Sequence, residues 1–238
     1  MSVFKHQYVL ELSKEIWSYI EKQFNKHDVF RSFLVENCTY DGFIELPIIK
    51  TSNNLPEKIV TFSTAMKKSY SDFDAWVAFY EYDRFFERFW NNPKRYLAKL
   101  KKFKGVISPD FSLYRNMPLV MQMWNTYKGR ALAVWLQSNG IEIIPNVRTA
   151  DERTFSFVFC GIERNKTVAI GTHGCIKKVE DRQHFKRGLA ELIKKLSPKN
   201  IIVYGSAPDS IFKIYKEQGI NIIPFESEFA VSRKQVTV

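Results

Sequence analysis

The sequence predicts an α/β protein built on a mostly parallel sheet with flanking helices. Short apolar runs of about five residues alternate with helical stretches from Trp76 onward, which is the pattern of buried parallel strands. The 238 residues are 45% hydrophobic and 15% aromatic, so the chain can bury a sizeable core. Six strands are expected after Trp76 and eight if two earlier ones are counted, and this number favours an incomplete or irregular TIM-barrel-like sheet.

Residues 1–75 are expected to form an N-terminal helix and short strands that pack on the core. Up to about Lys26, apolar residues recur at helical spacing between lysines and glutamates. Two short strands follow, at Ile44–Ile49 and Ile59–Phe62, with turn-rich segments around them. These strands lack helices of comparable length, which is why the barrel-like sheet is expected to be irregular.

Residues 76–225 form the predicted parallel core. The strands are predicted at Trp76–Tyr82, Gly105–Ser108, Ile141–Pro145, Thr167–Gly171, Asn200–Tyr204 and Ile220–Pro224. The helices between them are predicted at Arg84–Phe103 with a break at Asn92-Pro93, Met117–Asn139, Asp181–Leu196 and Pro208–Gln218. Right-handed crossovers should connect the strands. Residues 226–238 show no core-facing pattern and are expected to form a loose tail.

Composition and charge narrow the classes of partner. The apolar runs are far shorter than the roughly 20 residues that span a bilayer, and the N-terminus does not look like a secretory signal, so a cytoplasmic protein without a membrane partner is expected. Three widely spaced cysteines favour neither disulfides nor a metal site, and the sequence identifies no cofactor. The net charge of +11 indicates that the protein binds an anionic ligand or nucleic acid, or else that its basic surface has no binding role.

Two residues beyond predicted strand ends are candidates for acid–base chemistry. Ligands of parallel α/β sheets bind outside the carboxyl ends of the strands. Asp110 follows one strand and could act as a general base, or it could be a turn residue after Pro109. His173 lies near two glycines that permit close approach of a ligand, and imidazole titrates near neutral pH. An incidental histidine in a tight turn is the alternative.

The same strand ends carry candidate ligand-binding residues. Arg115 and Arg148 could bind a phosphate or carboxylate, because a guanidinium holds such groups with two hydrogen bonds. Salt bridges to Asp110, Asp151 or Glu152 are the alternative for both arginines. Gly205 and Ser206 offer a glycine turn and a serine cap before a helix, an arrangement that favours anions. The predicted ligand-binding set is Arg115, Asn146, Arg148, Thr172, Gly174, Gly205 and Ser206.

A second candidate surface is the helix within Pro93–Lys104, which contains no acidic residue. Its basic residues could contact a nucleic-acid backbone while neighbouring aromatic rings stack on bases. Alternatively, the aromatic and leucine residues form the buried stripe of an amphipathic helix whose outer face is basic. The residues that would bind nucleic acid are Lys94, Arg95, Lys99, Lys101 and Lys102.

Several strings in this part of the chain resemble a family of bacterial and phage proteins. The clearest are Ser108-Pro109-Asp110-Phe111-Ser112 and Pro145-Asn146-Val147-Arg148, together with Ile170-Gly171-Thr172-His173-Gly174-Cys175. The family is the domain-of-unknown-function family numbered 4417, and the resemblance runs roughly from Asp83 to Phe225. Its members tend to occur on phages and integrating conjugative elements. The resemblance therefore implies mobile-element biology, but no reaction, cofactor or partner.

Three hypotheses of function follow. The first is a phage or mobile-element protein that binds a phosphate-bearing ligand, either a nucleotide or a nucleic-acid end, at the carboxyl end of the parallel sheet. There, Arg115 and Arg148 would hold the anion, Asn146 would orient it, and Asp110 with His173 would serve any acid–base step. The second is a non-catalytic nucleic-acid-binding protein that uses the basic helix. The third is a counter-defence protein that docks on a host protein through its aromatic N-terminal segment. Whether the protein is an enzyme stays open.

Overall fold

The computed structural model describes residues 28, 30–228 and 230. The chain contains two compact units, Met1–Glu36 and Asn37–Val238. Within the first unit, a short 3-10 helix is formed by Ser32–Leu34. The helix predicted up to about Lys26, and with it most of the segment of the host-docking hypothesis, lies outside the described residues. The same holds for most of the predicted tail.

The second unit contains parallel sheets with helices between their strands, as the sequence predicts. Its strands are β1 (Tyr40–Asp41), β2 (Leu46–Pro47), β3 (Ile59–Thr61), β4 (Trp76–Ala78), β5 (Gly105–Ile107), β6 (Ile143–Ile144), β7 (Thr167–Gly171), β8 (Asn200–Tyr204) and β9 (Asn221–Phe225). Strands β3 to β6 pair in sequence order as a four-stranded parallel sheet. Strands β7 to β9 form a three-stranded parallel sheet in the same manner.

Helices connect most of the parallel strands. They are α1 (Phe62–Ala65), α2 (Asp83–Asn91), α3 (Lys94–Leu100), α4 (Leu119–Ser138), α5 (Val179–Leu196) and α6 (Asp209–Glu217), and a 3-10 helix lies at Glu152–Ser156. The break predicted at Asn92-Pro93 separates α2 from α3, because proline cannot continue the first helix. In the part of the chain that the structure describes, no helix is long and apolar enough to cross a membrane.

The two parallel sheets meet at one point, which we call the sheet junction. It is an isolated parallel bridge between Asn146 and Ala169. The amide of Val147 donates to the carbonyl of Ala169 at 2.8 Å, and the amide of Ala169 donates to the carbonyl of Pro145 at 2.9 Å. Strands β3 to β9 therefore follow one another in chain order across both sheets.

Strand alternation places side chains on both faces of the parallel sheets, and apolar clusters form there. One cluster draws residues from all seven parallel strands: Trp76, Ala78, Ile107, Ile144, Ala169 and Ile202, with Ile59, Tyr80 and Phe225 packed against it. On the opposite face of β7 and β8, Ile170 and Val203 pack with Leu189 of α5 and Phe212 of α6 in what we call the outer cluster. The shared interior suits a curved sheet. Among the described residues, however, no ladder joins β9 to β3, so the TIM-barrel likeness stays a prediction.

The segment predicted as a strand at Ile44–Ile49 does not extend the parallel set. Its strand is limited to Leu46–Pro47, which pairs with β1 in the antiparallel sense. Ile49 adds an isolated parallel bridge to Ile162. Pro47 has no amide hydrogen to donate to a ladder, which limits how far this strand can pair. The predicted eight-strand count is therefore wrong at its first member.

Candidate functional site

A cavity of about 740 Å³ lies at the carboxyl ends of β5, β6 and β7. Asp110 follows β5, Arg148 follows β6 and His173 follows β7, and all three line the cavity. Three candidate residues from different strand ends therefore share one space. Its volume lies in the range of roughly 300–1,000 Å³ that is typical of small-molecule sites.

Asp110 is the centre of a buried hydrogen-bond cluster, with only 6% of its surface exposed. Its Oδ1 accepts a hydrogen bond from Nδ2 of Asn146 at 2.7 Å. Its Oδ2 accepts from Nη1 of Arg148, also at 2.7 Å. Three predicted site residues are thus brought into direct contact. Both carboxylate oxygens have a donor, and one of those donors is charged.

Tyr80 and Ser108 hold Asn146 in place from behind. The hydroxyl of Tyr80 donates to the side-chain Oδ1 of Asn146 at 2.9 Å. The backbone N–H of Asn146 donates to Oγ of Ser108 at 2.8 Å. The Tyr80 ring also stacks on Tyr204, with 4.8 Å between ring centroids. Because the carbonyl oxygen of the Asn146 side chain accepts from Tyr80, its amide nitrogen is directed at Asp110. Sequence reasoning did not single out Tyr80 or Ser108 as site residues.

Burial and charge act against each other in this cluster. Burial raises the pKa of the Asp110 carboxyl above its usual value, although the Arg148 charge and the Asn146 hydrogen bond both lower it. Burial also raises the pKa of the Tyr80 hydroxyl, and the negative charge of Asp110 raises it further. Burial disfavours the charge on Arg148, but the neighbouring Asp110 raises the pKa of the guanidinium. Nε of Arg148 is buried and has no hydrogen-bond partner among the described residues.

Arg115 lines the same cavity, but two acids at the start of α5 contact its guanidinium. One terminal nitrogen donates to Glu180, and the other donates to Asp181 at 2.7 Å. The salt-bridge alternative for Arg115 is therefore realised, with partners other than those expected from the sequence. An anion could use Arg115 only in competition with these two carboxylates.

The loop after β7 brings His173 and Gly174 to the cavity together with Cys175. His173 is exposed, whereas burial raises the pKa of the Cys175 thiol. Thr172 is buried beneath them with 1% of its surface exposed. Of the predicted residues in this loop, His173 and Gly174 can meet a ligand directly, and Thr172 has a supporting position.

Gly205 and Ser206 lie beside this loop but do not line the cavity. Oγ1 of Thr172 donates to the carbonyl of Ser206 at 2.8 Å, so the loops after β7 and β8 are joined. A Cβ on Gly205 would lie 2.5 Å from Oγ1 of Thr172, which explains the glycine, as does its φ of +113°. The expected serine cap is wrong: Pro208 occupies the N-cap of α6, with no side-chain hydrogen bond to the helix.

Helix α5 supplies a wall of the cavity that the sequence analysis missed. The residues that it contributes are Asp181, His184, Phe185, Gly188, Leu189 and Leu192. They recur at spacings of three and four residues, which is the signal that could have identified the inward face of the predicted helix. Within the described ranges, no group of three or more His, Cys, Asp or Glu residues is arranged to hold a metal ion.

The basic residues of Pro93–Lys104 form a separate surface, since none of them lines the cavity. Lys94, Arg95, Lys101 and Lys102 are exposed, whereas Nζ of Lys99 donates to the carbonyl of Lys67. The Tyr96 ring packs edge-on against Phe62, with 5.2 Å between ring centroids. The aromatic face of α3 is therefore turned toward the core, as the amphipathic alternative expects, and the basic face is turned outward.

Residues 38–226 match a family model described as Domain of unknown function (DUF4417). The chain belongs to this family. The DUF4417 match contains the whole cavity and α3, and it confirms the resemblance seen in the sequence strings.

Curated relatives of this DUF4417 protein come from phages. The Gene 1 protein of Mycobacterium phage L5 is 33% identical over 162 residues, which cover 68% of this chain and 71% of that protein. The Gene 1 protein of Mycobacterium phage D29 is 31% identical over 162 residues, which cover 68% of this chain and 60% of that protein. These relatives support the phage association. No solved structure matches the chain.

Proposed function

We propose that this DUF4417 protein binds a small phosphate-bearing ligand in the cavity, with Arg148 as the main contact. The observation that carries the proposal is the incomplete pairing of Arg148. It lines the cavity with a side chain that is 26% exposed, and in the described part of the chain only its Nη1 donates to a protein group, the carboxylate of Asp110. A guanidinium has five N–H donors, and phosphate oxygens are acceptors that match its geometry.

Arg148 suits this role better than Arg115 because its surroundings fix its position. Asp110 holds the Arg148 guanidinium at 2.7 Å, Asn146 donates to Asp110, and Tyr80 in turn donates to Asn146. A ligand-binding group that packing and hydrogen bonds keep in place loses less conformational entropy on binding. Arg115 has two carboxylate partners, so an anion would have to displace one of them.

The proposal gives Asp110 and His173 different parts. Asp110 is engaged with both oxygens, so it positions Arg148. His173 is exposed at the cavity, and its imidazole is the group that would exchange a proton with a bound ligand. Any reaction would therefore depend on His173, while ligand binding would depend on Arg148 and Asp110.

Isothermal titration calorimetry with inorganic phosphate and nucleoside monophosphates tests the proposal. The matched variants are Arg148→Gln and Arg164→Gln, since Arg164 is exposed and outside the cavity. A hydrogen bond to a charged group contributes about 1.5–3 kcal/mol, so Arg148→Gln should weaken binding about tenfold to a hundredfold. Arg164→Gln should bind like the wild type.

Arg148→Gln leaves the Asp110 carboxylate without its cation, so each variant needs a check of folding. Thermal melts and a double variant, Asp110→Asn with Arg148→Gln, separate a loss of fold from a loss of contact. A folded Arg148 variant with wild-type affinity would contradict the proposal. So would a wild-type protein that binds no phosphate compound at millimolar concentration.

A second candidate function is nucleic-acid binding through the basic segment Pro93–Lys104. It is favoured by the exposed Arg95, Lys101 and Lys102 in a segment that contains no acid, and by the net charge of +11. Affinity for short DNA or RNA should then fall steeply with salt, because bound phosphates release counterions. Lys101→Glu should weaken binding in fluorescence polarisation, whereas Lys186→Glu, on the exposed side of α5, should have a smaller effect. Equal effects of the two reversals would count against a site on the segment Pro93–Lys104.

A further inference from the structure

The wall that α5 contributes to the cavity changes from polar to apolar along the helix. Asp181 and His184 lie toward its N-terminal end, and Asp181 contacts Arg115 there. Leu189 and Leu192 follow one and two turns later and are almost fully buried, with 3% and 2% of their surfaces exposed. At a rise of about 1.5 Å per residue, this stripe runs for about 16 Å along the cavity.

The apolar part of α5 is continuous with residues from the sheet side. Leu189 and Leu192 belong to the outer cluster, and the other members of that cluster that line the cavity are Leu113, Val147 and Ile170. We call these five residues the apolar wall. Phe185 packs against the same cluster and also lines the cavity, so an aromatic ring stands next to the apolar wall. The cavity thus has a charged end at the strand termini and an apolar side between α5 and the sheet.

The volume of the cavity exceeds the need of a bare anion. A space of about 740 Å³ is of the size that encloses a whole small organic molecule. Inorganic phosphate at Arg148 would fill only a small part of this space, which the partly buried Phe185 also lines. The ligand should therefore carry an apolar or aromatic body in addition to its phosphate.

We propose that the ligand is a mononucleotide, with its phosphate at Arg148 and its base against the apolar wall beside Phe185. This inference rests on the proposed function. The face of a nucleobase stacks well on an aromatic ring. His184 and Thr149 line the same cavity and provide polar groups for ribose hydroxyls. A plain alkyl phosphate would bury such groups without a hydrogen-bond partner, which is unfavourable.

A ligand series on the full-length wild-type chain tests the inference by calorimetry. The series comprises inorganic phosphate, ribose 5-phosphate, the nucleoside monophosphates and decyl phosphate. Stacking of one base should make the preferred nucleoside monophosphate bind about five- to a hundredfold more tightly than ribose 5-phosphate. Decyl phosphate should bind more weakly than that nucleotide.

Phe185→Leu and Phe155→Leu form a matched pair of variants. Both phenylalanines are partly buried against the outer cluster, but only Phe185 of the two lines the cavity. Phe185→Leu should remove most of the advantage of the nucleotide while leaving the affinity for ribose 5-phosphate unchanged. Phe155→Leu should keep both affinities. Thermal melts of the two variants show whether the loss of a ring from this cluster has a general effect on folding.

The outcomes separate this inference from the proposal on which it rests. Equal affinity for ribose 5-phosphate and nucleotides would overturn the mononucleotide assignment, and so would tighter binding of decyl phosphate than of any nucleotide. Neither result would contradict the proposal that Arg148 binds phosphate. A folded Phe185→Leu protein with the wild-type preference would overturn it as well. If no phosphate compound binds at all, both proposals fail.

Discussion

Replacing Arg148 by methionine tests how the buried pair of Asp110 and Arg148 is balanced. Methionine keeps an unbranched side chain but has no charge and no N–H donor. Among the described residues, Asp110, which is 6% exposed, would then keep only the hydrogen bond from Asn146 at 2.7 Å. The variant therefore leaves a buried carboxylate without a cation.

The expected loss of folding free energy depends on how exposed the two side chains are. Removing one partner of a buried ion pair costs roughly 3–5 kcal/mol of folding free energy. The Arg148 side chain is 26% exposed, so water already shares in its solvation and the lower end, about 3 kcal/mol, is expected near neutral pH. Adding Asp110→Asn removes the stranded charge, and the coupling between the two positions should be about 1–3 kcal/mol.

The pH dependence of the deficit has a definite sign. Burial raises the pKa of Asp110 in the folded protein, so the folded state binds more protons than the unfolded state between the two pKa values. The contribution of this carboxyl to stability therefore falls as pH rises from about 4. Without Arg148 the folded pKa rises further, and the window in which stability is lost extends to higher pH. The deficit of Arg148→Met should be smallest in acid and largest near neutral pH.

Urea denaturation followed by tryptophan fluorescence measures this deficit, since the chain has five tryptophans. Wild type, Arg148→Met, the double variant and the exposed control Arg164→Met would be compared near pH 5 and near pH 8. The reasoning is refuted if Arg148→Met lies within about 0.5 kcal/mol of wild type, which is typical of surface positions. A deficit that neither acid nor Asp110→Asn relieves would refute it too.

Two further predictions concern packing and positioning. In Gly105→Ala, the new Cβ would lie 2.5 Å from the buried Trp76 ring. Because overpacking strains a core, this variant should lower the free energy of unfolding by about 1–3 kcal/mol in the same urea assay. A variant as stable as wild type would contradict this prediction. Tyr80→Phe removes the hydroxyl that donates to Asn146. In calorimetry, this variant should bind phosphate more weakly than wild type, but with a smaller loss than Arg148→Gln. An unchanged affinity would mean that Tyr80 does not help to position Arg148.

The strands of the core could be predicted closely because their signal is local. Thr167–Gly171 and Asn200–Tyr204 have the predicted bounds, and the other core strands begin or end within a few residues of theirs. A buried parallel strand is an uninterrupted apolar run between turn residues, and such a run can be read from the sequence alone. The pairing of Leu46–Pro47 with β1 could not be foreseen, because it depends on which strand lies alongside.

The site was predictable only where it depends on strand ends. Ligands of parallel sheets bind at the carboxyl ends of the strands. This rule led to the candidate residues that follow strands: Asp110, Asn146, Arg148 and His173. It missed Tyr80, whose role depends on a hydrogen bond to a residue 66 positions away. The contacts of Arg115 with Glu180 and Asp181 are likewise long-range, so the sequence could suggest a salt bridge but not its partners.

The sheet junction links the architecture of the protein to its cavity through Asn146. Asn146 bridges to Ala169 with its backbone, while its side chain holds Asp110 under Arg148. The two amides that donate across this junction, those of Val147 and Ala169, exchange their hydrogens with solvent only when the sheets part locally. Because a ligand held by Arg148 would stabilise the pairing of the two sheets, slower hydrogen exchange at these two amides should report occupancy of the cavity without knowledge of the ligand.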